Sequence, residues 1–187
     1  MALPDSLVHQ VGTPIILADT TDHSPAANNN FGTRTDQIDL TSVGDSAARQ
    51  SDKIDFGASR APVYSMYAAF EFAATPVAGE AVEIYLAPSL STTAAVANPG
   101  GITGVDSAYS GTAASTLEQS VLQLLYIGNF VCTADATGTV QISQIGQFIP
   151  PERYGSIVVK NESGAAFHSD MVETSIIITP VINAIID

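Results

Sequence analysis

Tryptophan is absent from this chain, cysteine occurs once, and lysine and arginine together number 6 among 187 residues. Each scarcity closes off a class of function. The single cysteine, Cys132, allows neither an intramolecular disulfide nor a cysteine-rich metal site, and it leaves the redox compartment undetermined. With 19 acidic residues the formal net charge is -13, which speaks against nucleic acid and anionic membranes as direct ligands, because phosphate recognition relies on Lys and Arg. No apolar run reaches the ~20 residues of a membrane helix, and no basic segment followed by an apolar stretch opens the sequence, so no signal peptide is expected. The missing tryptophan also weakens a sugar-binding reading, since aromatic platforms for sugar rings draw on Trp as well as on the six tyrosines present here.

What is present is apolar and neutral. Hydrophobic residues make up 45% and charged residues 13%, so the surface must be built largely from Ser, Thr, Asn, Gln, Ala and Gly. Such a surface tolerates dense packing in an assembly, while the acidic excess keeps the free subunit soluble. The length suits a single domain, 1–187.

Period-two alternation is the dominant pattern. Tyr64, Met66, Ala68, Phe70 and Phe72 are apolar, with Ser65 and Glu71 at the intervening positions. Val82, Ile84 and Leu86 repeat the pattern against Glu83 and Tyr85. The Pro and Gly of 75–80 between the two runs predict a β-hairpin. A second hairpin is predicted over 126–148, turning at Asp135-Ala136-Thr137-Gly138, with a parity slip at Gln144-Ile145-Gly146 that marks a bulge or a close backbone approach. Ile157 and Val159 form a short strand, Asn161 to Gly164 a turn, and Val172 to Ile178 a last strand before Pro180. With weaker candidates at 13–18, 38–43 and 50–56, about eight or nine strands are expected. The fold class is mainly β, an antiparallel β-sandwich or jelly roll.

Three segments break the rhythm. Leu117, Val121, Leu124 and Leu125 fall at helical spacing behind Ser115 and Glu118, which predicts a short helix of two to three turns opened by a capping box. The stretch 87–114 is a long small-residue loop, a candidate contact excursion. The N-terminal region to about residue 37 reads as a polar arm, and the last residues from Val181 are too apolar to lie free in water.

The reactive side chains assemble poorly. Gly44-Asp45-Ser46 resembles the block around an esterase nucleophile, but such a serine needs a histidine oriented by an acid, and His168 lacks an aspartate three residues before it. Asp19, Asp22 and His23, with His168 and Asp170, invite a metal assignment, but they lie on polar loops rather than rigid elements. Asp135 to Gly138 reads as a turn rather than a calcium loop, and Cys132 as a buried hydrophobe rather than a nucleophile. No catalytic residue, cofactor or metal is expected.

Two stretches, Asn98-Pro99-Gly100-Gly101-Ile102-Thr103-Gly104 through Gly111 and Pro150-Pro151-Glu152-Arg153-Tyr154-Gly155 through Asn161, together with Ala166-Phe167-His168-Ser169-Asp170, resemble small virion structural proteins of tailed bacteriophages. The similarity runs over about 60–180. It implies a capsid decoration or cement protein on the virion surface, made in the host cytoplasm, with the major capsid protein and copies of itself as partners, a trimer being favoured. The expected contact residues are Leu3 and Leu7 in the arm, Tyr109 in the excursion, Ile185 and Ile186 in the tail, and Arg153 with Tyr154 at a rim, since Arg and Tyr are enriched where interfaces carry energy. A tail, neck or baseplate component and a carbohydrate-binding β-sandwich module are the alternatives.

Overall fold

The computed structural model describes residues 6–186. Its strands are β1 (Ser6–Val11), β2 (Ile15–Ala18), β3 (Asp36–Gln37), β4 (Ala47–Gln50), β5 (Ile54–Asp55), β6 (Val63–Phe70), β7 (Ala81–Ser89), β8 (Ser107–Tyr109), β9 (Leu125–Val131), β10 (Gln141–Phe148), β11 (Tyr154–Glu162) and β12 (Ser175–Ile186), with one helix, α1 (Leu117–Val121), between β8 and β9. The chain is mainly β. Among the described residues its strands number twelve, against the eight or nine expected, because pieces such as β3, β5 and β8 are only two or three residues long and too short to show an alternation. The stretch read as an N-terminal arm carries three of them, β1 to β3.

Two six-stranded sheets result. The first runs β10-β6-β12-β2-β3 with β1 also on β12, and the second runs β8-β4-β11-β7-β9 with β5 also on β11. Every pairing is antiparallel except the short one between β2 and β3. The alternation read from sequence sets the inner faces: Tyr64, Met66, Ala68 and Phe70 from the first sheet meet Val82, Ile84 and Leu86 from the second in one core. Phe70 centres it, its ring 4.9 Å from Phe130 and 5.0 Å from Phe167. β11 is buried on both faces, with Ile157 and Val159 in that core and Val158 in a second, smaller cluster outside the sheet.

Neither predicted hairpin forms. β6 and β7 lie in different sheets, β6 pairing with β10 and β12 and β7 with β9 and β11. Their connection is drawn away from a local turn: Val77 N–H donates to Ser163 O and Gly79 N–H to Cys132 O. β9 and β10 likewise belong to different sheets, meeting side by side at the seam, where a Cβ added to Gly128 would stand 2.5 Å from Ile145 O. Only glycine allows that approach. The parity slip nearby is a β-bulge, with the register passing from Gln144 opposite Tyr67 to Gly146 opposite Met66.

The last strand does not stop before Pro180. It continues to Ile186, tolerating proline because β12 changes partner there, from β2 at Ile176–Ile178 to β1 at Val181–Ile186. The turn expected from Asn161 begins later, since β11 runs through Glu162 and buried Asn161 holds the bend by donating to Val43 O and Ala165 O. The helix is one short turn-and-a-half, not two to three turns. Its capping box is shifted by one residue: Thr116 Oγ1 accepts from Gln119 N–H while Gln119 Oε1 accepts from Thr116 N–H.

Candidate interaction surfaces

The excursion between β7 and β8 is folded onto the outer face of the second sheet. Lys53 organises it. Its ammonium reaches Ser89 Oγ at 2.9 Å and the carbonyls of Ser91, Thr93 and Val96 at 3.0, 2.8 and 3.1 Å, and burial lowers its pKa. Asn98 ties the same segment by donating to Ala94 O and Ile102 O. Gly104, at φ +71, passes so close to Ala94 that an added Cβ would lie 2.3 Å from its carbonyl oxygen. Beneath this cover Tyr109, Ile102, Val121 and Leu124 pack on Ala48, Ala87 and Val158.

Tyr109 therefore fails as a contact residue. It is 3% exposed and donates its hydroxyl to Gly100 O at 2.6 Å, so its ring holds the excursion down instead of facing a partner. Apolar side chains between the end of α1 and the start of β9 are open instead: Leu122 is 82% exposed, with Leu125 and Tyr126 also exposed. Tyr126 stands edge-on to Tyr85 at 5.4 Å, and burial, together with the bond its hydroxyl donates to Glu83, pushes the Tyr85 pKa up. Lys160 sits beside them, 2.6 Å from Glu162 and 3.5 Å from Glu83. Burial pulls its pKa down, but the two carboxylates outweigh burial and raise it.

A polar seam joins the excursion to the first sheet. Arg49 grips Asp106 through Nε at 2.7 Å and Nη2 at 2.9 Å, while Asp106 accepts from Asp39 N–H and Gln37 Nε2, and its own N–H donates to Asp52. This bidentate geometry is the strong form of a charge-assisted pair.

Arg153 and Tyr154 stand where the chain enters β11, both partly exposed. Arg153 is half exposed, meets Asp55 in two bonds of 2.8 and 2.7 Å, and lies over the Tyr154 ring at 5.0 Å. Leu3 lies outside the described residues. Leu7 is paired with Ile185, and Ser6 with Ile186, in the ribbon that β1 and β12 form beyond Val181. β6 begins opposite Val181, so residues Ile182–Ile186 of β12 pair with β1 alone among the described residues.

The reactive groups stay apart. Ser46, at φ 60 in a turn, donates its hydroxyl to Glu162 Oε2 at 3.3 Å, and no imidazole is among its partners. His168 Nδ1 accepts from Asp170 N–H at 3.0 Å. Burial works to raise the Asp19 pKa, but Gln37 and the amides of Asp22 and Thr21 bond its carboxylate and hold it below the usual range. Among the described residues no three His, Cys, Asp or Glu converge on a metal position. Burial, with Glu80 nearby, pushes the Cys132 thiol up to about 11, so it stays protonated at neutral pH. A cleft of about 370 Å³ is lined by His23, Ser24, Asn30, Thr33 and Arg34.

Sequence reasoning overlooked Lys53, Asp106 and Tyr126. The available signal was scarcity: with 6 cations in the chain, each was a candidate anchor, and Lys53 and Arg49 are the two that fix the excursion. No family model matches the chain, and no curated protein matches it.

Proposed function

We propose that the chain is a jelly-roll β-sandwich serving as a virion structural protein of a tailed bacteriophage, a capsid decoration protein that strengthens the assembled head through protein contacts. Strand order carries the reading. Taking β2, β4, β6, β7 and β9 to β12, the sheets run β10-β6-β12-β2 and β4-β11-β7-β9, and successive strands alternate between sheets except for β7 and β9, which pair. Two interleaved Greek keys have that order, and such jelly rolls recur in viral capsid proteins and in lectins.

The surface favours the capsid member of that set. Leu122, Leu125 and Tyr126 are exposed, and the strands β1 and the end of β12 carry no Asp, Glu, Lys or Arg. Exposed apolar groups of this kind mark interaction sites. A decoration protein acts by burying area across joints between shell subunits, which stabilises the assembled state by mass action, and many copies make weak contacts effective. No turnover is required.

The test is the copy number and position of the chain in purified particles. A decoration protein approaches the copy number of the major capsid protein and raises the temperature at which heads release DNA. A few copies fractionating with tails would replace this reading with a tail, neck or baseplate role. Saturable glycan binding by the soluble protein, lost on Arg34→Gln in the 19–34 cleft, would replace it with a carbohydrate-binding module.

A further inference from the structure

We infer that the β1 edge of the terminal ribbon pairs with a second copy of this chain, joining two ribbons into one continuous antiparallel sheet. β1 uses only one of its edges. Gly12 N–H donates to Pro180 O at 2.8 Å, and the register continues unbroken from Val11 opposite Val181 to Ser6 opposite Ile186. Antiparallel alternation then turns the N–H and C=O of Val8 and Gln10 toward β12 and those of Leu7, His9 and Val11 outward. No other strand pairs with that outward edge among the described residues.

An open edge is a template for strand addition, and proteins that remain monomeric guard it with charge, proline or a covering segment. Among the described residues this edge carries none of these. The thirteen residues from Ser6 to Ala18 and the thirteen from Thr174 to Ile186 include no Asp, Glu, Lys or Arg, and β1 has no proline. Asp5 and Asp187, which bound these stretches in sequence, lie outside the described residues. Val11, at the root of the edge, is 74% exposed, and His9 and Gln10 are exposed beside it.

Charge selects the occupant. Elsewhere the chain is strongly acidic, at -13 overall, so two copies repel wherever their ordinary surfaces meet. The ribbon is where they approach without opposing like charges. A second copy brings an identical edge, and a two-fold axis matches β1 to β1 so that each outward donor meets an outward acceptor. A basic partner would instead seek the acidic surface.

The proposal rests on the ribbon being a contact surface, and solution measurements separate it from the capsid assignment. The intact protein is run by size-exclusion chromatography with light scattering across the micromolar range, alongside His9→Pro and Val11→Lys. His9→Pro removes an outward N–H and no bond to β12; Val11→Lys places a charge on the edge. The expected result is a concentration-dependent dimer whose dissociation constant rises roughly 10- to 100-fold in either variant, through loss of two symmetric bonds or added repulsion, with far-ultraviolet circular dichroism unchanged. A chain monomeric at every concentration, or a dimer indifferent to both variants, overturns the pairing even if the protein binds heads. A dimer that responds to both but never binds heads upholds the pairing and removes the capsid reading.

Discussion

The 90–106 excursion and the terminal ribbon are both nearly free of charge, and both read from sequence as contact segments, yet the fold treats them oppositely. The excursion is pulled onto its own sheet by Lys53, Tyr109 and the Asp106 seam. The ribbon runs on past the start of β6 and, among the described residues, keeps one edge open. What separates them is the supply of polar anchors: the excursion's carbonyls and Asp106 find two of the few cations, whereas no charged group lies within the ribbon strands. A small-residue loop becomes part of the body when something satisfies its backbone, and an apolar strand with an unsatisfied edge stays available for association.

The largest predicted effect removes the body on which both regions depend. Phe70→Ala would leave a cavity between Phe130 and Phe167 and is expected to cost about 3–5 kcal/mol in chemical denaturation, loosening excursion and ribbon together. Lys53→Met should split them. Loss of a charged donor shared by three carbonyls is expected to destabilise by about 2 kcal/mol, and hydrogen exchange should accelerate over 90–106 while β1 and β12 keep their rates. Uniform acceleration would show that the two regions are not independent.

A smaller change sharpens the same contrast. Tyr109→Phe deletes only the bond to Gly100 O, with an expected loss of about 1 kcal/mol and earlier proteolytic cutting within the excursion. The smallest effect belongs to the rim. Arg153 holds the Asp55 carboxyl below its ordinary 3.8, so the pair's contribution is full above that value and is lost as pH falls through the lower folded value. Both side chains are substantially exposed, so Arg153→Gln is expected to cost the least of the four at pH 7, and the variant's stability should converge on that of the parent in strong acid.

The alternating runs at 64–72 and 82–86 identified their inward side chains correctly, because which face of a strand is apolar is a property of neighbouring residues. The bulge at Gln144 and Gly146 was visible for the same reason. The two hairpins were not predictable from their turns: Val77 and Gly79 have turn-forming neighbours, but their amides bond Ser163 and Cys132, residues more than fifty positions away. Tyr109 was misplaced because an aromatic among small residues looks the same in sequence whether it anchors a loop or faces a partner.

Composition and local periodicity alone determined that this is an acidic, mainly β protein with defined inner faces on the strands at 64–72 and 82–86, since both are read from residues within a few positions of one another. Tertiary structure decided which strands share a sheet, that Lys53 would close the excursion, and that β1 would have one edge unpaired among the described residues. Those outcomes depend on distant segments competing for the same backbone donors and acceptors, a competition that local sequence does not encode.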